Sequence, residues 1–289
     1  MELDNVFDHY CQHLSRMVKR STREDYSKRL TMLKRFCAMH GVSTIEDIDF
    51  PKFLEWLFID RGVVHRTHNN YRTWCRSFCR WLKQQHYIIG DPLHDVPPLK
   101  EPPKFRQPLP PQVLAQVRSY LCNHNKHFLL AVMMEYYCFI RPDELSNIRV
   151  GDIDAKAHTI YVRAEISKNC KAEMVGINRT ILSLMRELHT LRASKDWYIF
   201  SHRCKPGEMK MDSRMFRDRW SRLRKRLNLP KEFQFYSLKD SGIRDLANSV
   251  GIVIARDQAR HSSIAVTNKY LQGKDRPVHA ETIRFKGKL

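Results

Sequence analysis

None of the eight cysteines, at positions 11, 37, 75, 79, 122, 138, 170 and 204, stands in a C-x-x-C pair, and His65 and His68 have no second pair of ligands beside them. That excludes the usual structural zinc modules, and reduced, buried thiols of a cytosolic protein are expected instead. Glycine is sparse, 10 residues in 289, and no glycine-rich phosphate loop is present, so ATP is not expected. No carboxylate pair or cluster is placed where two metals could bridge a phosphate. The chain is therefore read as needing no cofactor and no metal. Long apolar runs are missing too. The longest, Phe128 to Ile140, is interrupted by Glu135 and is too short to cross a bilayer. Met1 to Tyr10 is acidic and amphipathic and lacks the basic start and apolar centre of a secretory signal, which argues against export and against a membrane partner.

Acidic residues are the other shortage. Asp and Glu total 31 against 51 Lys and Arg, a formal net charge of +20. Such a surplus calls for a polyanionic partner. Anionic membrane surfaces and nucleic acid both qualify. The basic residues are spread through folded-looking segments rather than gathered in a tail or one amphipathic helix, which favours nucleic acid and a cytoplasmic, nucleoid-associated protein. With 42% hydrophobic residues the chain can bury genuine cores.

Proline marks the clearest boundary. The stretch Pro97 to Pro111, P-P-L-K-E-P-P-K-F-R-Q-P-L-P-P, cannot be helical and favours an extended, semi-rigid linker. The reading is a helical domain over 1–98, a Pro-rich linker over 99–109 and a second domain over 110–289. Residues 1–100 hold 16 Lys/Arg and 12 Asp/Glu, so most of the excess charge belongs to the second part.

Periodicity predicts about four helices in the first part. Val6, Phe7, Tyr10, Cys11 and Leu14 form one apolar stripe. Ser21 and Glu24 stand in capping-box spacing ahead of Tyr26, Leu30, Leu33 and Phe36. A third helix starts near Pro51, and a fourth turns Tyr71, Trp74, Phe78, Trp81 and Leu82 inward. Arg72, Arg76 and Arg80 recur every four residues on that fourth helix and predict a basic face at phosphate-binding reach, reinforced by Arg23 and Lys28 on the second. A solvated basic face is the alternative.

The second part begins helical, over Pro110 to Leu121 and Phe128 to Phe139, with a short helix ending near Ile148. Thr159 to Val162 and Met174 to Ile177 then read as strands joined by the polar turn Ser167-Lys168-Asn169-Cys170-Lys171. Helical patterns return at Thr180 to Leu191, Asp212 to Leu227, Ser237 to Val250 and Ile254 to Ala259. The fold class is mainly α with a small antiparallel β-sheet.

Four segments of this second part stand in a telling order. Tyr137 to Asp154, Y-C-F-I-R-P-D-E-L-S-N-I-R-V-G-D-I-D, resembles the first box of the tyrosine recombinases, the phage integrase family: an apolar helix leads into Arg141, with Glu144 three residues later. Lys168, in the turn between two strands, is similar to that family's hairpin lysine, although Lys171 also qualifies. Phe235 to Ile243 falls where the family carries His-x-x-Arg and here reads Tyr-x-x-Lys, with Tyr236 and Lys239 in those places. Ala259 to Tyr270, A-R-H-S-S-I-A-V-T-N-K-Y, is similar to the C-terminal box, His261 being followed nine positions on by Tyr270. Singly, each has an ordinary reading: Arg141 as a helix-end arginine, Lys168 as a turn lysine, His261 as a helix-end histidine, Tyr270 as a packed aromatic. Their joint occurrence in order carries the resemblance, which covers about residues 110–275.

The resemblance implies a two-domain architecture, a helical, SAM-like core-binding domain followed by an α+β catalytic domain, closing as a clamp on double-stranded DNA. It implies a site-specific recombinase or integrase of a mobile genetic element that cleaves and rejoins DNA through a 3′-phosphotyrosine intermediate. The implied catalytic set is Arg141, Lys168, Tyr236, Lys239, His261 and the nucleophile Tyr270. The residue types suit the chemistry. A phosphodiester resists attack because its oxygens are negative, so Arg141, with two parallel N–H donors, and Lys239 would neutralise the charge that builds in the transition state. As a point charge, Lys239 cannot reproduce a guanidinium fork. A tyrosine hydroxyl, with an ordinary pKa of about 10, is a poor nucleophile near neutral pH, and nearby cations would stabilise its phenolate. Lys168 would protonate the leaving 5′-hydroxyl, His261 would hydrogen-bond a non-bridging oxygen, and Tyr236 would replace a histidine as a phosphate hydrogen-bonder.

The resemblance further implies a homotetramer on two paired sites, accessory DNA-bending proteins, and a C-terminal segment packing on a neighbour. With 19 residues after Tyr270 and no extra N-terminal arm-binding domain visible, that exchanged element is expected to be short. Two other readings stay open: a catalytically impaired DNA-binding regulator with the same fold, and a type IB topoisomerase-like enzyme.

Overall fold

The computed structural model describes residues 2–102 and 108–271, in two units that divide at Pro103 and Lys104. The first unit is helical. α1 (Leu3–Met17) buries Val6, Phe7, Tyr10 and Leu14, the stripe that its apolar spacing dictates. α2 (Arg20–Met39) starts at Lys19 without a side-chain cap. Ser21 therefore lies inside the first turn, and the expected capping box with Glu24 does not form; Glu24 pairs instead with Arg20 at 2.9 Å. α3 (Phe50–Ile59) is capped by the Asp49 carboxylate, which accepts from the Lys52 backbone N–H, and Pro51 sits in its first turn, where no N–H is needed. α4 (His65–Gln84) stacks Trp74, Phe78 and Trp81 along its inner face, with Trp74 and Phe78 ring centroids 5.6 Å apart. Each such buried side chain contributes about 1.5–3 kcal/mol, enough in sum to order four amphipathic helices.

The arginine stripe on α4 differs from its expectation. Arg72 is half-buried, and its Nε donates to the Val96 carbonyl at 2.6 Å. Arg76 lies 3.8 Å from Asp91, and Arg80 is exposed. Two of the three guanidinium groups thus tie down the chain that follows α4, because i, i+4 spacing faces a neighbouring segment as readily as solvent. On α2, Lys28 is exposed and Arg23 half-exposed.

The second unit holds the remaining elements. α5 (Pro111–His124) packs on α6 (Lys126–Tyr137), which is buried continuously from Phe128 to Glu135. A short α7 (Pro142–Leu145) leads to an antiparallel sheet of β1 (Ile153–Asp154), β2 (Thr159–Val162) and β3 (Glu173–Gly176), in that order. Ile160 pairs with Val175 and both are buried, which fixes the register of the β2–β3 hairpin. Arg163 anchors the root of that hairpin through Asp152 and, at 3.0 Å, the Asn147 carbonyl. α8 (Arg179–Glu187) and α9 (Arg214–Arg226) close the core, with Trp220 and Phe216 inside it.

α10 (Ser237–Val250), α11 (Ile252–Ala259) and α12 (Ile264–Leu271) complete the unit. β1 and α12 have no counterpart in the periodicity reading. α10 crosses α6 at Gly242, where an added Cβ would fall 1.8 Å from the Tyr136 carbonyl oxygen. Only glycine permits this approach, and it brings the first turn of α10 under the loop after α6. Among the described residues no helix is long and apolar enough to cross a membrane. Linker positions 103–107 and the segment after Leu271, expected to supply the exchanged element, lie outside the described residues.

Candidate active site

The loop between α6 and α7 sets the site. Phe139 adopts φ 54°, a left-handed conformation unfavourable for a bulky side chain, and its carbonyl turns inward. Lys239, fully buried in the first turn of α10, donates from Nζ to that carbonyl at 2.6 Å. Two residues after Phe139, Arg141 caps α7. Its Nη1 donates to Glu144 Oε1 at 2.9 Å, while its backbone N–H donates to Glu144 Oε2 at 3.1 Å. The Arg141 side chain is 18% exposed, so its remaining donors can be reached from outside.

Glu144 is a junction. Its Oε1 also accepts from the Lys168 backbone N–H at 3.3 Å, and its Oε2 accepts from Nη2 of the buried Arg260. Arg260 ends α11 in a left-handed conformation, φ 56°, and its Nη1 lies 3.7 Å from Glu173 on β3. The next residue, His261, stacks on Tyr270 with ring centroids 5.1 Å apart, and its Nδ1 is 2.9 Å from Thr267 Oγ1 on α12. Tyr270 packs with Phe139, Ile243, Ala255 and Ala259, and its hydroxyl lies 3.5 Å from that of Tyr236, the residue capping α10.

Arg141, Tyr236, Lys239, His261 and Tyr270 therefore converge, although 129 positions separate the first from the last. Lys168 reaches the cluster by its backbone, while its side chain is exposed on the hairpin. One expectation is corrected in its geometry. Lys239 is not laid against the surface as a second phosphate-facing cation, because its ammonium is committed to the Phe139 carbonyl beneath the site. Arg72, Arg76, Arg80, Arg23 and Lys28 belong to the first unit and form no part of the cluster.

The electrostatics are those of a positive site over a buried acid. Burial, then the neighbouring Arg141 guanidinium, lowers Lys239 to about 7. Glu135, on α6, is fully buried with neither carboxylate oxygen hydrogen-bonded, and burial raises it well above the usual carboxylate range. Burial likewise pushes the Tyr236 phenol up, with Tyr270 adding to the effect. Glu144 runs the other way: burial opposes its ionisation, but Arg260 and then Arg141 hold it below its ordinary value. Burial also works against the Arg141 charge, and Glu144 more than restores it.

Arg260, Glu135 and the Phe139 carbonyl escape a reading by sequence. Arg260 had one usable signal: a helix ends there, where glycine or asparagine ordinarily takes the left-handed position, so an arginine is out of place. Glu135 showed only as a break in an apolar run. Among the described residues no three His, Cys, Asp or Glu side chains cluster to hold a metal ion.

The comparisons with known proteins bear on this second unit most directly. The lambda integrase fragment 75–356, solved as a dimer bound to a COC′ core site, superposes with a TM-score of 0.77 at 19% identity, over 96% of this chain and 98% of that one. The Tn1549 transposon integrase fragment 82–397, in complex with circular intermediate DNA, gives 0.74 at 16% identity, over 98% of both chains. A lambda integrase tetramer bound to a Holliday junction gives 0.77 at 18%, over 96% of this chain and 79% of that one. At such identities these likenesses establish the fold. A search of curated proteins by sequence finds no match. The Phage integrase family model matches residues 109–276, more than half the chain and every residue of the cluster from Glu135 to Tyr270, and the chain therefore belongs to the phage integrase family.

Proposed function

We propose that Tyr270 is the nucleophile with which this site-specific recombinase opens one DNA strand and becomes joined to its 3′ phosphate. The observation that carries this is the convergence on Tyr270 of the Tyr236 hydroxyl, the His261 ring and the charge of the Arg141 guanidinium. In the step, the Tyr270 hydroxyl gives up its proton to solvent, its oxygen forms a bond to phosphorus, and the bond from phosphorus to the 5′ oxygen breaks. That oxygen leaves with a proton, for which Lys168 on the hairpin is the donor. Arg141 neutralises the non-bridging oxygens with its outward N–H groups. Lys239 adds positive charge from below through a low-dielectric interior, where charge carries further than in water. Religation reverses the step, because the phosphotyrosine retains the energy of the broken bond.

The surplus of basic residues suits duplex DNA, and binding is expected to weaken steeply with salt as phosphate contacts release counterions. Lambda and Tn1549 integrases are seen on DNA, one as a tetramer on a Holliday junction. By that likeness we propose double-stranded DNA as substrate, four copies on paired sites, and accessory DNA-bending proteins where the site needs them.

The test is a duplex nicked close to the cleavage position, so that the released fragment diffuses away and religation stops. The wild-type chain should accumulate a covalent adduct, and Tyr270→Phe should bind the same duplex and form none. An adduct in Tyr270→Phe, or its absence in the wild type on host sites, would overturn the assignment. Relaxation of supercoiled DNA by a monomer without recombinant products would instead mark a topoisomerase-like enzyme.

A further inference from the structure

Two costs meet at Arg260. Its backbone adopts φ 56°, and its side chain is only 2% exposed. A guanidinium taken out of water is unfavourable unless its donors are satisfied. Those of Arg260 are satisfied only in part: Nη2 bonds Glu144, while Nε and Nη1 have no hydrogen-bond partner. A residue held in this way beside His261 needs a reason.

The reason lies in how Glu144 is filled. A carboxylate offers about four acceptor positions, two on each oxygen. Arg141 Nη1 and the Lys168 N–H take Oε1, and the Arg141 N–H and Arg260 Nη2 take Oε2. A carboxylate and a guanidinium left to themselves form two parallel bonds. Here that fork is blocked, because Arg260 occupies the place on Oε2 that a second Arg141 donor would need. Charge follows the same logic: Glu144 with Arg141 alone would cancel the Arg141 charge, whereas a carboxylate shared with Arg260 cancels less of it.

We propose that Arg260 is a positioning residue for Arg141: by holding Glu144 Oε2 it limits the carboxylate to one bond with the Arg141 guanidinium and leaves the other donors, with more of the Arg141 charge, to the scissile phosphate. Arg260 also stands 3.7 Å from Glu173 at the start of β3, so the same guanidinium ties the base of the Lys168 hairpin to the junction. The direction of the Glu144 shift agrees, since Arg260 outweighs Arg141 in keeping that buried carboxyl ionised. Lys239 cannot take this part, because its ammonium is already bonded to the Phe139 carbonyl.

This inference rests on the proposed nucleophilic role of Tyr270, and its test separates the two. Single-turnover adduct formation by the full chain at saturating DNA is compared on a normal nicked duplex and on one with an uncharged methylphosphonate at the scissile position. Arg260→Met should be about 100-fold slower than wild type on the phosphodiester and less than about 10-fold slower on the methylphosphonate, with DNA affinity little changed. The double variant E144Q/R260M removes the competing carboxylate as well, so it should recover at least about tenfold of the rate lost in Arg260→Met. It also removes the buried Glu144 carboxylate that Arg260→Met leaves short of a donor, so it is informative even where the single variant does not fold. Equal loss on both substrates, undiminished cleavage by Arg260→Met, or no recovery in the double variant would overturn the inference. A wild-type chain that forms no adduct on the normal duplex would sink the nucleophile assignment itself.

Discussion

The hydroxyls of Tyr236 and Tyr270 lie 3.5 Å apart, one at the start of α10 and the other near the end of α12. A phenol so placed can donate a hydrogen bond to its neighbour's oxygen as negative charge builds there during attack on phosphorus. Burial raises Tyr236, so its hydroxyl keeps its proton and can donate to the Tyr270 oxygen. Tyr236→Phe is therefore expected to slow adduct formation by about 10- to 100-fold, the worth of one hydrogen bond to a charged oxygen, with DNA affinity unchanged. Single-turnover rates on the nicked duplex measure this, and a wild-type rate in the variant would remove Tyr236 from the mechanism.

Much of this geometry was legible in the sequence, and the exceptions have physical causes. Arg141, His261 and Tyr270 lie in two short boxes that resemble those of the tyrosine recombinases, and each box is local in sequence, so the linear text carried them. The hairpin showed itself through alternation and a polar turn. Arg260 did not, because its part depends on a left-handed backbone and on a carboxylate 116 positions away, and no local pattern encodes either. The ammonium of Lys239 was expected to face phosphate. It turns to a carbonyl because Gly242 brings α10 against α6, a contact between segments that neither periodicity reveals. The Arg72 and Arg76 stripe was read correctly as a period and incorrectly as a free face, since the chain returning after α4 covers it.

The buried ammonium gives cleavage a characteristic pH response. Lys239 ionises near 7 in the free protein, below the ordinary lysine value, so its charge is present below that pH and lost as pH rises through it. A bound phosphate would favour the charged form and move the loss upward. At subsaturating DNA, the wild-type rate relative to Lys239→Arg should therefore fall between about pH 6 and pH 8, because the guanidinium stays charged throughout. A ratio that does not vary with pH would show that Lys239 keeps its proton.

Gly242 offers a test of the scaffold independent of the chemistry. Alanine there would drive its Cβ to 1.8 Å from the Tyr136 carbonyl oxygen and 2.7 Å from the Phe139 ring, so the helices must part. Gly242→Ala should cost at least about 3 kcal/mol, at the upper end of overpacking, and lower the melting temperature by about 6 °C or more. Because the shift also withdraws the Phe139 carbonyl from Lys239, residual folded protein should cleave poorly. Calorimetry with a single-turnover assay on the folded fraction checks both.

Gln258 holds the hairpin to α11 in the manner of an added strand. Its Oε1 accepts from the Gly176 N–H at 3.0 Å, and its Nε2 donates to the Gly176 and Tyr137 carbonyls at 2.8 and 3.1 Å. Removing these bonds leaves the edge of β3 without a partner on that side. Gln258→Ala should accelerate amide exchange at Gly176 and slow cleavage more than it weakens DNA binding, because the hairpin carries Lys168. Exchange unchanged at Gly176 would mean that the strand is held elsewhere.

The proton that the 5′ oxygen takes with it must come from a specific donor, and the hairpin turn offers both Lys168 and Lys171, each exposed. Lys168 has the stronger claim, because its backbone N–H is bonded to Glu144 and its position is fixed relative to Arg141. Lys171 lies past that anchor. A general acid is worth about 10²- to 10⁴-fold in rate, so Lys168→Ala should fall by that amount and Lys171→Ala by much less. A substrate with sulfur in place of the leaving 5′ oxygen separates an acid from a phosphate-binding cation, since a thiolate departs without a proton. The Lys168→Ala defect should nearly vanish on it, while an Arg141→Ala defect, which concerns the non-bridging oxygens, should persist. If instead the sulfur substrate rescues Lys171→Ala, the acid is Lys171, and the hairpin must close further over Tyr270 than the Glu144 contact requires.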